Sequence, residues 1–116
     1  MDPDLIYTVP VKKHAYIHIS NGSKSVEGRL YRGIFAKMKQ DDVIKFIHKD
    51  LPPIFATVTF THPYPSFRKM VTKEGVSNVT PDLSSVDEAE ALYRSIYSIS
   101  KEEEFGVIAI RVSLLD

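Results

Sequence analysis

The stretch Phe105 to Leu115 is almost continuously apolar, broken only by Arg111 and Ser113. It is too short to span a membrane as a helix and rich in β-branched residues, so it predicts a strand covered on both faces, running through the middle of a sheet. A second strand is predicted from Ile54 to Thr61, where Ile54, Ala56, Val58 and Phe60 alternate with Phe55, Thr57, Thr59 and Thr61. That period of two is the signature of a half-buried strand. His62-Pro63-Tyr64-Pro65 then predicts a rigid turn that ends it. Val43 to His48 reads as a third strand from its β-branched and aromatic content, entered through a turn at Asp41-Asp42.

Helices are marked by caps and by 3.6-residue spacing. Ser66 precedes Phe67, Met70, Val71 and Glu74 on one stripe, and Gly75 closes it. Glu74 therefore rides on an apolar face, either reaching solvent at the helix end or looking into a cavity. Ser85-Val86-Asp87-Glu88 is a capping box opening a helix that buries Val86, Ala89, Tyr93, Ile96 and Tyr97. Gly33 to Gln40 predicts a short cationic helix with Ile34, Phe35 and Met38 inward. Val11 to Ile19 fits either a strand, with Ala15, Ile17 and Ile19 alternating, or a helix, with Val11, Ala15 and Ile19 on one face. Met1 to Pro10 is expected to be an extended N-terminal segment ahead of a core at about 11–115, because Pro3 and Pro10 restrict it.

With 116 residues the chain makes one domain. Its 43% hydrophobic and 26% charged content is that of a globular protein. Without cysteine there is no disulfide, thiolate metal site or cysteine nucleophile. No membrane-spanning run and no signal-peptide pattern at Met1-Asp2-Pro3-Asp4 are seen, so a cytoplasmic protein is expected, with the nucleus left open. The formal net charge is zero but unevenly placed. Residues 1–73 hold twelve Lys and Arg against six Asp and Glu, a formal +6, and residues 74–116 hold three against nine, a formal −6. Either the first part forms a basic patch suited to phosphates, or the two parts intermix and pair.

The chemistry concentrates in Gly22-Ser23-Lys24-Ser25-Val26-Glu27-Gly28-Arg29, followed by Leu30 and Tyr31. If Ser25 to Tyr31 is a strand, Glu27 and Arg29 share a face and Lys24 stands at its mouth. Lys24 is then a base or phosphate ligand, Glu27 a proton carrier or orienter, and Arg29 an anion clamp. The structural alternative is an ion pair between Glu27 and Arg29 that fixes the strand. His14, His18, His48 and His62 have no recognised metal spacing, and no metal or other cofactor is expected. Phosphate-binding glycine loops and nucleophile elbows are absent from the sequence.

Gly22-x-Lys24-x-x-Glu27-x-Arg29 resembles the G-x-K-x-x-E-x-R signature of the ASCH family, the activating-signal-cointegrator homology domain with a PUA-like barrel. Asp42-Val43-Ile44-Lys45-Phe46 resembles its G-D-x-I-x-F strand, and Tyr64-Pro65-Ser66-Phe67 its Y-x-S-F helix start. Glu74-Gly75, Pro81, Arg94-Ser95-Ile96-Tyr97 and Glu102 to Ala109 continue the likeness, which covers Lys12 to Leu115. Asp41 departs from it, standing where the family often has glycine. The resemblance implies an α+β fold: a small PUA-like mixed β-barrel with flanking helices in a single domain, with Val11 to Ser20 helical. It implies a cleft lined by the motif, with Gly22, Lys24, Arg29, Tyr64 and Ser66 as binding residues. The partner it implies is RNA or a modified nucleoside, taken by a monomer.

Alternatives come from the same resemblance. One branch is an amidohydrolase that deacetylates N4-acetylcytidine with a lysine, a threonine nucleophile and a glutamate. Lys24 and Glu74 correspond to its lysine and glutamate, while Glu27 replaces the threonine, so catalysis here would use Lys24, Glu27 and Glu74 with water as nucleophile. A metal-dependent ribonuclease and a module that binds a protein partner are the remaining readings.

Overall fold

The computed structural model describes residues 6–115. Five strands form one mixed sheet in the order β1-β3-β4-β5-β2. They are β1 (Ile6–Pro10), β2 (Val26–Leu30), β3 (Val43–Ile47), β4 (Ile54–Tyr64) and β5 (Val107–Leu114). β1 runs parallel to β3, and every other pairing is antiparallel. The helices are α1 (Lys13–Ser20), α2 (Phe67–Glu74), α3 (Val76–Val79), α4 (Val86–Ile96) and α5 (Ile99–Phe105). The sheet curls into a half-barrel flanked by helices, giving the expected small α+β architecture. Its curl brings the two edge strands together: an Arg29 Nη2 proton on β2 is donated to the Pro10 carbonyl at the end of β1, 3.2 Å away.

The apolar run near the C-terminus is, as predicted, an interior strand: β5 lies between β4 and β2. Its residues Val107 to Ile110 are buried in sequence because the sheet carries a core on each face. One core gathers Val9, Ile44, Phe46, Ala56, Val58, Ile108 and Ile110. The other gathers Val26, Leu30, Phe67, Met70, Val71, Ala89, Val107 and Ala109 beneath α2 and α4. Alternate residues of β5 thus enter opposite cores.

The caps hold as read: the Ser66 and Ser85 hydroxyls accept from the Lys69 and Glu88 N–H groups at 3.0 and 3.1 Å. The capping box is displaced by one residue, since Glu88 accepts from the N–H and hydroxyl of Ser84. Val11 to Ser20 resolves as a helix from Lys13, with Val11 and Lys12 ahead of it, Ile19 buried and Ile17 exposed.

The structure departs from expectation at five points. Ile6–Pro10 is extended, but it is a strand of the sheet with Tyr7 and Val9 in the core; residues 1–5 of that segment lie outside the described residues. β4 continues through His62 and Pro63 to Tyr64. Proline is tolerated there because β3 pairs only with Ile54 to Thr57, so this end of β4 is an edge. A register shift between Val58 and Phe60 also reverses the alternation, leaving Phe60 exposed beside Arg111. The cationic helix shrinks to one 3₁₀ turn, Gly33–Ala36, with Met38 buried beyond it. Finally, Ser98 caps α5, which the sequence reading passed over.

Charge patterning resolves partly toward mixing. Arg68 from the basic part pairs with Asp87 and Glu90 from the acidic part. Lys24, Glu27 and Arg29 pair within the first part. No helix among the described residues is long and apolar enough to cross a membrane.

Candidate functional site

β2 is an edge strand with one neighbour, β5, and its free side borders a cavity of about 370 Å³. α1 supplies one wall through His14, Ala15 and His18. α4 supplies the other through Leu92, Tyr93 and Ile96, with Tyr97 just beyond it, and the segment Val79 to Asp82 closes the end. Lys24, Glu27, Gly28 and Arg29 form the floor.

The motif is shaped by its two glycines. Gly22 has φ +84° and turns the chain out of α1, after which the Lys24 N–H is donated to the His18 carbonyl at 2.9 Å. Gly28 is buried, and a Cβ there would meet the Met70 methyl and would lie 2.8 Å from the Tyr93 hydroxyl. The bare backbone lets Tyr93 approach the strand. Its ring is stacked on Phe67 with centroids 4.2 Å apart.

Period two places Glu27 and Arg29 on one face, as predicted. Arg29 Nε donates to Glu27 Oε2 at 2.6 Å, and the guanidinium also lies over the Phe35 ring. Lys24 Nζ lies 3.5 Å from Glu27 Oε1 and donates to the carbonyls of Val26 at 3.0 Å and Val79 at 2.5 Å. Glu27 and Lys24 are 7% and 8% exposed, so this is a buried charge cluster, and its burial must be offset by pairing. Burial alone would raise the Glu27 carboxyl, but Lys24 and Arg29 outweigh it and hold the group below the usual carboxylate range. Burial lowers the Lys24 ammonium from the ordinary lysine value, with Glu27 opposing. Burial and then the Glu27 charge push the Tyr93 phenol well up. The Tyr97 phenol is raised by burial against the pull of Arg29.

The other expected site residues lie apart from this cavity. Glu74 does not line it: Oε1 accepts from Arg111 Nη2 at 3.0 Å and Oε2 from the Tyr64 hydroxyl at 2.5 Å. The α2 stripe packs on the sheet, where Arg111 of β5 and Tyr64 of β4 meet the carboxylate and fix it. The Tyr64 phenol is pushed up to about 12 by burial and by that hydrogen bond. Tyr64 is therefore a partner of Glu74, Ser66 is a helix cap, and Gly22 is a turn residue outside the cavity lining. Lys24, Glu27 and Arg29 are the predicted residues that the fold does bring together.

Tyr93, Tyr97 and Ile96 were read as core of α4, yet they face the cavity, and Ile96 is 45% exposed. A signal for this was present: a buried phenol needs a partner for its hydroxyl, so two tyrosines on one apolar stripe mark a place where it opens. Thr80 and Asp82, also at the cavity, carried no such signal. His14 and His18 face it from α1, and His18 Nδ1 is 3.0 Å from the Ser23 hydroxyl. Among the described residues no group of three or more His, Asp or Glu is placed to hold a metal.

No family model matches the sequence, and no curated protein matches it. Solved structures do. The crystal structure of the hypothetical protein PH0355 superimposes with a TM-score of 0.88 at 30% identity, over 96% of this chain and 100% of that one. The solution structure of protein PF0455 from Pyrococcus furiosus gives a TM-score of 0.79 at 32% identity, over 97% and 99%. The similarity thus spans the helices that wall the cavity as well as the sheet. The chain belongs to the family that these two proteins represent.

Proposed function

We propose that the chain is an ASCH-type domain that binds RNA or a modified nucleoside, with one base entering the cavity beside β2. The observation that carries this reading is the buried Lys24–Glu27–Arg29 cluster on the floor of a cavity walled by Tyr93 and Tyr97. A volume of about 370 Å³ lies within the range of small-ligand sites. Splayed bases are recognised by aromatic walls together with a few fixed polar groups, and the cavity offers both. Lys12 at its rim, next to Lys13 on α1, supplies positive charge for a neighbouring phosphate.

The test is a titration of isotopically labelled protein with N4-acetylcytidine and, separately, with a short RNA hairpin at low salt. Amide shifts clustered on Glu27, Arg29, Tyr93 and Tyr97 are expected. RNA affinity should fall with salt by about one log–log unit per phosphate contact. Absence of shifts at the cavity with both probes refutes the reading.

A second reading is favoured by one feature. The Glu27 carboxylate stands at the cavity floor, where it can accept a hydrogen bond from a water and orient it toward a bound carbonyl. Acetate released from N4-acetylcytidine, and abolished by Glu27→Gln in a folded variant, would establish the amidohydrolase.

A further inference from the structure

We propose that Lys24 is a positioning residue whose ammonium is committed to the fold, and that Glu27 and Arg29 read a neutral ligand edge carrying an N–H beside a C=O. The inference rests on the cavity being the ligand site, as proposed above.

The argument starts from donors and acceptors. An ammonium has three protons and no lone pair. Three acceptors surround Lys24 Nζ: the Val26 carbonyl at 3.0 Å, the Val79 carbonyl at 2.5 Å and Glu27 Oε1 at 3.5 Å. A neutral amine could satisfy the two carbonyls only by turning its lone pair toward a carboxylate oxygen, which is repulsive. The ammonium therefore fits the site, and it has no proton left for a ligand. What it does instead is mechanical: it ties the start of β2 to the end of α3 and steadies Glu27 from one side.

Arg29 steadies Glu27 from the other side. Its Nε goes to Oε2 and one Nη2 proton to the Pro10 carbonyl, and Tyr97 lines the same cavity. A carboxylate has about four lone-pair sites, and two of them are engaged here. With Lys24 committed, what the floor presents is one carboxylate acceptor and one guanidinium donor, adjacent and opposite in charge. That pair complements an amide or lactam edge such as uracil carries. An anion would gain from Arg29 and lose to Glu27.

Two measurements on the wild-type protein decide the role of Lys24 without any variant. In reductive methylation with labelled formaldehyde, Lys24 should react at least about tenfold more slowly than the exposed Lys12 and Lys13, because its nitrogen is buried and each of its protons already faces an acceptor. Its side-chain nitrogen resonance should also stay fixed while uridine shifts the guanidinium of Arg29. Methylation at the rate of Lys12, or a ligand shift larger at Lys24 than at Arg29, overturns the proposal. In Lys24→Met, the Glu27 carboxyl carbon should titrate about one pH unit higher, a change that simple loss of packing would not produce. An unmoved midpoint in a folded variant overturns the positioning role.

For ligand class, the probes are uridine and inorganic phosphate. Uridine binding that Glu27→Gln or Arg29→Lys weakens at least about tenfold supports the neutral edge. Phosphate binding the cavity more tightly than uridine overturns it. If no probe shifts any cavity residue, the proposed function fails, while methylation and the Glu27 titration still settle Lys24.

Discussion

Replacing Arg29 by alanine probes the cluster most directly. The substitution removes the 2.6 Å bond from Nε to Glu27 Oε2, the 3.2 Å bond to the Pro10 carbonyl and the contact with Phe35. Taking one partner from a fully buried ion pair costs about 3–5 kcal/mol, because the other charge is left behind. Two features reduce that figure here. The Arg29 side chain is 21% exposed, and Lys24 remains 3.5 Å from the same carboxylate. The expected loss is therefore about 2–3 kcal/mol. With a urea slope of about 1–3 kcal/mol per molar, the denaturation midpoint should fall by about 0.7–3 M. Glu27→Gln in the Arg29→Ala background should cost much less than in the wild type, since the stranded charge is then gone, with a coupling of about 1–2 kcal/mol. A loss below about half a kcal/mol for Arg29→Ala would show an exposed, weak pair and refute the reasoning from burial.

Acid should act through Glu27. Its folded carboxyl titrates below the ordinary value of 4.5, so its contribution is complete above that value and is lost as pH falls through the folded pKa. Unfolding midpoints measured down from neutral pH should decline more steeply for the wild type than for Glu27→Gln; parallel curves would contradict the assignment. Gly28→Ala should destabilise by about 1–3 kcal/mol, because the new methyl group meets Met70 and the stacked Tyr93; thermal unfolding that is unchanged would mean the ring yields freely. Asp41 has φ +77°, a region that favours glycine, so Asp41→Gly should raise stability by up to about 1 kcal/mol, and a lower melting temperature would count against it. Glu102 is buried and accepts the Phe67 N–H at 2.7 Å and an Arg94 proton at 3.1 Å. Glu102→Ala should cost roughly 2–3 kcal/mol in urea unfolding, far more than Glu103→Ala on the exposed side of the same helix.

Features legible in the sequence were those set by local rules. The caps at Ser66 and Ser85, the apolar run of β5 and the shared face of Glu27 and Arg29 follow from neighbouring residues alone. What failed needed the far end of the chain. Pro63 reads as a turn until β3 is known to stop short of it. Ile6–Pro10 reads as a lead-in until β3 offers it an edge. The apolar stripe left Glu74 between solvent and a cavity, and the family resemblance put it in a catalytic set; that it meets the sheet instead depends on Arg111, distant by 37 positions. Ile96 and Tyr97 look like core because hydrophobic spacing cannot distinguish a wall that is packed from one that borders a void.

The closure of the sheet has a mechanical side. β1 and β2 are the outermost strands, and Arg29 fastens one to the last residue of the other. This clasp sits in the floor of the cavity, and Pro10 and Val11 belong to the same lining. Whatever occupies the cavity therefore leans on both margins of the half-barrel at once. Occupancy and the opening of the seam become a single equilibrium: a guest that adds contacts across the gap tightens the clasp, and one that draws Arg29 away from Pro10 loosens β1. The amide protons of β1, remote in sequence from the motif, would then report by their exchange rates how firmly the guest is held.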